Sequence, residues 1–220
     1  MSDGDFSGYS QELEFFGTVT AAVSHELANI LLIVDQVGGL LGDLAGSVAS
    51  GHSVSSERLN VLHDRITRQT QRGIEQIKAL NRFAHSIDEP EQLVGVNSQV
   101  ETVLTLTRRL LVHAQVELSV RWLDKEISLT GSPFLVMNIF FIILKEALRT
   151  ARKGDAFEIE LIENHPFVTI VVDVPAGTSP VSREAMQGKV DTLAQELGGG
   201  VEIRTEGERR RIHLQLPKET

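Results

Sequence analysis

Between Phe16 and Leu44 the apolar residues recur at spacings of three and four: Phe16, Val19, Val23, Leu27, Ile30, Val34, Val37, Leu41 and Leu44. That period is the seam of an amphipathic α-helix. A second series, Leu59, Leu62, Ile66, Gly73, Ile77, Leu80, Ala84 and Ile87, continues at near-heptad spacing, with a polar interruption at Gln69 and Thr70. Between the two series Gly38, Gly39, Gly42, Gly46 and Gly51 thin out the helical signal. Gly51 to Ser56 reads as a turn, and Ser55 or Ser56 can cap the second helix. Two helices of about 30 residues joined by a short turn make an antiparallel hairpin, which cannot bury both seams alone. Pairing with a second copy into a dimeric four-helix bundle is the expected solution.

The first helix carries the hexapeptide Ser24-His25-Glu26-Leu27-Ala28-Asn29. At about 100° per residue, His25 projects away from the seam. Thr18, Ala22, Asn29 and Gln36 lie nearest it on the wheel, so its face is small and weakly polar, and a partner can approach closely. Glu26 lies between the seam and the histidine, and Asn29 is stacked one turn on. A histidine beside a glutamate is commonly a solvated surface pair, and a His-Glu-x-x-His metal site would need histidine at 29, which is Asn. The other six histidines show no ligand spacing. What distinguishes His25 is a carboxylate next to it and an amide one turn away, the equipment for taking a phosphoryl group onto imidazole nitrogen.

Composition narrows the class. Cysteine is absent, so there is neither a disulfide frame nor a thiolate metal site. The net charge of −9, most of it in the first 96 residues, argues against nucleic acid as a partner. No uninterrupted apolar run reaches the roughly 18 residues that span a bilayer, and no signal-peptide pattern opens the chain. The expectation is a soluble cytoplasmic protein with no membrane partner.

Asp88-Glu89-Pro90-Glu91 breaks the second helix and reads as a linker, dividing the chain into residues 1–90 and 91–220. Beyond it the pattern is mixed. A helix is predicted over Ser98–His113 with Asn97 as cap, then a strand over Val116–Trp122. Gly131-Ser132-Pro133 starts a helix that continues through the apolar run Phe134–Ala151. Strands come next at Ala156–Ile162 and Phe167–Val174, then a helix near Ser182–Leu197 stopped by Gly198-Gly199-Gly200. A hairpin of Val201–Thr205 and Arg210–Leu216 ends the pattern. This order suggests one sheet with helices on one face.

The whole arrangement, over about residues 10–217, resembles a bacterial two-component histidine kinase core: a dimerisation and phosphotransfer hairpin followed by an α/β sandwich of the Bergerat ATPase type. The hexapeptide resembles that family's H-box. The resemblance implies that His25 is phosphorylated, that Glu26 is the general base, and that Asn29 positions water for dephosphorylating a response regulator. Ile30 stands where many members have proline. The helix Ile143–Ala151 resembles the N-box. Depending on the alignment, Thr150 or Glu146 occupies the place of its magnesium-binding asparagine. Val172-Asp173-Val174-Pro175-Ala176-Gly177 resembles the adenine-reading box, with Asp173 and Gly177 retained and Pro175 in place of the middle glycine. Thr178 to Met186 runs almost directly into the next helix, without the glycines whose N–H groups wrap a triphosphate.

Taken together, these features point to a histidine phosphotransferase. His25 would relay a phosphoryl group between response-regulator receiver domains, the protein would be a homodimer, and no ATP or Mg²⁺ would be bound. Two other readings stay open: a sensor kinase core with an unorthodox ATP site, and a response-regulator phosphatase or scaffold acting through Asn29. Arg65, Arg68, Arg72, Lys78 and Arg82 on the second helix read first as a solvated face and second as groups that orient phosphate.

Overall fold

A computed structural model describes residues 3–176 and 183–219. Helices α1 (Asp3–Ala49) and α2 (Ser56–Ala84) form the antiparallel hairpin. Ser55 caps α2, its side chain accepting from the Arg58 N–H. At 47 residues α1 is longer than the sequence suggests, running through its glycines without a break. Helices in proteins are held mainly by packing of their apolar face. Here Val37 and Leu44 supply it by packing with Leu62 across the hairpin.

The first seam is as read, with Val19, Val23, Ile30, Val37 and Leu44 buried. Two details differ. Phe15 rather than Phe16 is fully buried, and Ala22 is buried although the wheel places it near His25. On α2 the seam continues beyond Gly73 through Gln76, Ala79 and Phe83, while Ile77 and Ala84 are exposed. A glutamine hides this register in the sequence. Gln76 is buried because its amide Nε2 donates to the Thr105 carbonyl at 2.9 Å.

After a 3₁₀ turn at His85–Ile87 come β1 (Gln92–Gly95), α3 (Val96–Ala114), β2 (Glu117–Arg121), β3 (Ser128–Gly131) and α4 (Pro133–Arg149). The chain continues through β4 (Ala156–Asn164), β5 (Phe167–Pro175), α5 (Arg183–Glu196), β6 (Gly200–Glu206) and β7 (Arg209–Pro217). The five-stranded sheet has the order β2-β4-β5-β7-β6, with β2 and β4 parallel and the other pairs antiparallel. The antiparallel pair β1-β3 is not legible in the sequence. Each strand has four residues, too few for an alternation to show.

The starts of α3 and α4 rest on different local chemistry. Ser132 caps α4, accepting from the Leu135 N–H at 3.3 Å, with Pro133 opening the helix. In α3, Asn97 is not the cap. Gly95 is, and the carboxylate of Glu126 reaches back from before β3 to accept from Asn97 N–H at 2.7 Å and Ser98 Oγ at 2.8 Å.

Strand parity separates the two faces of the sheet. Phe157, Ile159, Leu161, Ile170, Val172, Val174, Ile212 and Leu214 are buried in the main core, which α3, α4 and α5 share. Glu158, Glu160, Asp173, Arg211 and His213 line the opposite face. The core is continuous with the hairpin. The Phe15 ring lies 4.8 Å from Phe83, 5.7 Å from Phe134 and 4.5 Å from Phe141, centroid to centroid. Glu14 of α1 is also ion-paired with Lys145 of α4.

One expectation changes with α1. The stretch Leu13–Ala49 contains a window of mean hydropathy 1.5 and is long and apolar enough, by length and composition, to cross a membrane. Glu26, Asn29, Asp35, Gln36 and Asp43 divide its apolar runs, so counting unbroken runs misses it.

Candidate functional site

The hexapeptide sits in the middle of α1. His25 is exposed, and no side chain among the described residues is hydrogen-bonded to its ring. Asn29 is exposed one turn on and lies on the same side of the helix. Glu26, rotated toward the seam, is half-buried and pairs with Arg72 of α2, whose Nη2 donates to Glu26 Oε1. His25 and Asn29 thus share an exposed face of α1, while the Glu26 next to them in the chain turns toward α2.

Of the six cations on α2, Arg72 alone engages this site. Arg82 lies 3.9 Å from Glu101 of α3, and Arg68 and Lys78 are exposed. In the sequence Arg72 is only one member of a row. The signal that could single it out is Gly73. An added Cβ there would lie in ordinary contact, 3.6 Å from Ile30 Cγ2, so Gly73 faces α1 one turn beyond Glu26.

The residues picked out in the second half are placed differently. Glu146, near the end of α4, accepts from Arg149 Nη2 at 2.9 Å, and the pair raises the Arg149 guanidinium pKa. Thr150 caps the same helix, its hydroxyl donating to the Ala147 carbonyl at 3.2 Å. Asp173 is on the other side of the sheet. It alternates with the buried Val172 and Val174 and faces the open surface with Glu158, Arg211 and His213. Its carboxylate accepts from Arg209 Nε at 2.7 Å and Arg211 Nε at 2.9 Å. Gly177 and the segment up to Ser182 lie outside the described residues. Asp173 is thus not brought to the helix face on which Glu146 and Thr150 stand. Among the described residues there is no group of three or more His, Asp or Glu that could hold a metal ion.

The open face carries a charged dish of about 350 Å³ that the sequence does not reveal, lined by Arg121, Glu160, Asp173, Arg211 and His213 among others. His213 is half-buried, and desolvation first, then the nearby Arg204, pushes its pKa below the ordinary value.

No family model matches the sequence, and no curated protein matches it. Solved structures do. The chain is similar to the histidine kinase AdeS of Acinetobacter baumannii, at 13% identity and a TM-score of 0.51, over 89% of this chain and 98% of that one. It is also similar to the catalytic domain of histidine kinase ThkA in a nucleotide-free form, at 10% identity and a TM-score of 0.53, over 59% of this chain and 99% of that one. The fold is that of a histidine kinase core, a helical hairpin followed by the α/β sandwich of the ATPase domain.

This likeness corrects the expectation that the chain takes no ATP or Mg²⁺. Its second half has the fold of a kinase catalytic domain. The error has a physical source. The expectation rested on residue types in the boxes, above all the missing glycines of 178–186, whereas the likeness rests on the backbone fold, which those residue types do not decide.

Proposed function

We propose that this chain is a two-component phosphotransfer core of the sensor histidine kinase kind, in which His25 carries a phosphoryl group on its way to a receiver aspartate. The observation that carries the reading is the exposed His25 ring, with Glu26 next in the chain and tied to Arg72 and Asn29 one turn on, in a chain with the kinase-core fold. An unobstructed imidazole permits the in-line approach that phosphoryl transfer requires. Its neutral nitrogen attacks phosphorus while a carboxylate beside it takes the proton lost from the ring. Asn29, an amide with a donor and an acceptor, is placed to orient water for the reverse loss of phosphate.

Residues 1–90 serve in this reading as the phosphoacceptor hairpin and 91–220 as the unit that presents the donor. The hairpin leaves Leu31, Leu32, Leu40, Leu59, Ile74 and Ile77 exposed. A second copy covering them in a four-helix bundle gives a homodimer and keeps the apolar α1 in water. ATP, when bound, would supply the phosphoryl group. As placed, Glu146, Thr150 and Asp173 are each committed to a partner within the chain, so no step is routed through them.

The test is incubation with γ-labelled ATP and Mg²⁺, following acid-labile label in the wild type and in His25→Ala. Label present in the first and absent in the second supports the kinase reading. The second reading, in which a phosphorylated receiver loads His25, is favoured by Glu146 and Thr150 at the end of α4, each bonded within its own helix end. It is supported if label reaches His25 from a receiver and not from ATP. No label at His25 from either donor refutes the phosphoacceptor role. Asn29→Ala separates the phosphatase activity, since it should abolish dephosphorylation of the receiver while sparing transfer.

A further inference from the structure

The two helices of the hairpin meet mostly through apolar side chains. Among the described residues a single ion pair bridges α1 and α2, and it joins Arg72 to Glu26, the neighbour of the exposed histidine. The Glu26 side chain is 14% exposed and that of Arg72 36%. A pair this close to solvent adds little stability, so its position calls for another reason. Arg72 stands next to the buried Gly73, which faces Ile30 of α1, and from there its guanidinium reaches Glu26 one turn earlier on α1. The guanidinium donates to Oε1 only, and no described side chain is hydrogen-bonded to Oε2. One carboxylate oxygen is therefore anchored and the other is left with its lone pairs.

We propose that Arg72 is a positioning residue for phosphoryl transfer at His25. It anchors Glu26 through one oxygen so that the other stands ready beside the imidazole. This rests on the reading of His25 as phosphoacceptor. In the step itself, one ring nitrogen forms the N–P bond as the bond from phosphorus to the leaving group breaks. The leaving group departs with the electron pair, and the N–H proton of the second ring nitrogen passes to Glu26. A free carboxylate on a long side chain samples several rotamers, whereas one held by a planar guanidinium is confined. Confinement of this kind is what effective positioning consists of.

The experiment loads His25 of the full chain with phosphoramidate, a small N–P donor that needs no nucleotide site and no receiver. The readout is the rate of acid-labile phosphate formation in the wild type, Arg72→Gln, Arg72→Lys, Glu26→Gln and the double variant Glu26→Gln/Arg72→Gln. Arg72→Gln should slow loading by about tenfold, and the same change in the Glu26→Gln background by less than about twofold, the non-additivity of residues acting as one unit. Arg72→Lys should recover part of the rate, since an ammonium keeps the charge and loses the planar fork. Thermal unfolding and molecular size check that each variant keeps its fold. Should Arg72→Gln not fold, the loss caused by Arg72→Lys must vanish when Glu26 is already Gln. Wild-type loading by a folded Arg72→Gln overturns the proposal, as does an equal loss in both backgrounds. A wild-type chain that takes no phosphoryl group at His25 overturns the acceptor reading itself, an outcome distinct from any behaviour of the Arg72 variants.

Discussion

Replacing Phe15 by alanine tests how the helical hairpin is held to the α/β sandwich. The Phe15 ring is 1% exposed and touches Phe83 at the end of α2 and Phe134 and Phe141 on α4. A buried phenylalanine removes about 150–250 Å² from water, worth roughly 4–6 kcal/mol as an upper bound. Alanine keeps part of that burial, and the cavity adds back some of the loss, so the expected destabilisation is about 3–5 kcal/mol. For a chain of this size each kcal/mol lowers the melting temperature by about 2–4 °C, so the transition should fall by about 6–20 °C. Phe16→Ala is the internal control, because that ring is only half-buried and its loss should be smaller. Calorimetry measures both, and hydrogen exchange of the α4 amides locates the effect. A Phe15→Ala protein within about 1 kcal/mol of wild type would refute the argument that this ring ties α1 to α4. So would an exchange pattern in which α4 is untouched.

Local chemistry sets three further outcomes. Glu126→Ala should destabilise by about 1–2 kcal/mol, because it removes both the acceptor and the negative charge from the start of α3; denaturant titration measures it. Gly199→Ala should be far more damaging than Gly200→Ala. A Cβ at 199 would overlap the Gln215 carbonyl oxygen while one at 200 meets nothing, and paired melting curves show the difference. His213 has a folded pKa depressed by burial, so the unfolded chain binds its proton more readily than the folded one. Stability tied to this group is full above the unfolded value of about 6.5 and declines as pH falls through the depressed folded value. His213→Gln should flatten that part of the pH–stability curve.

Period and punctuation are what the sequence makes legible. The seam from Val19 to Leu44, the outward projection of His25 and the Ser132-Pro133 helix start are all in the structure as read. Gly198 and Gly199 read as a helix stop. Gly198 indeed has a left-handed φ of 68°, and its neighbour packs against β7. The failures share a cause. The α2 seam passes through Gln76, the start of α3 is met by the Glu126 carboxylate, and Arg72 is singled out from six cations by a contact with α1. Each is a polar group whose role is set by a partner 29 residues or more away, and local spacing carries no trace of such partners.

Asp173 shows the sharper form of this limit. As a letter in Asp-x-Pro-x-Gly it suggests a nucleotide-reading box, and the composition of the six residues gives no reason to doubt the register. Parity on β5 decides otherwise. Val172 and Val174 are buried among the helices, so the residue between them must face the other side, where Arg209 and Arg211 receive it. A strand shifted by one residue exchanges its faces completely. The buried valines on either side are visible in the sequence as an unbroken apolar run from Ile170 to Val172 and then Val174, and such a run does not reveal which face is inside. A nucleotide on the helix side would have to be read by groups other than the Asp173 carboxylate, which two arginines hold on the open face. The clearest probe is nucleotide-dependent protection of α4 and of the residues C-terminal to Pro175. Protection on the open face around Asp173 instead would reverse this assignment of the two faces.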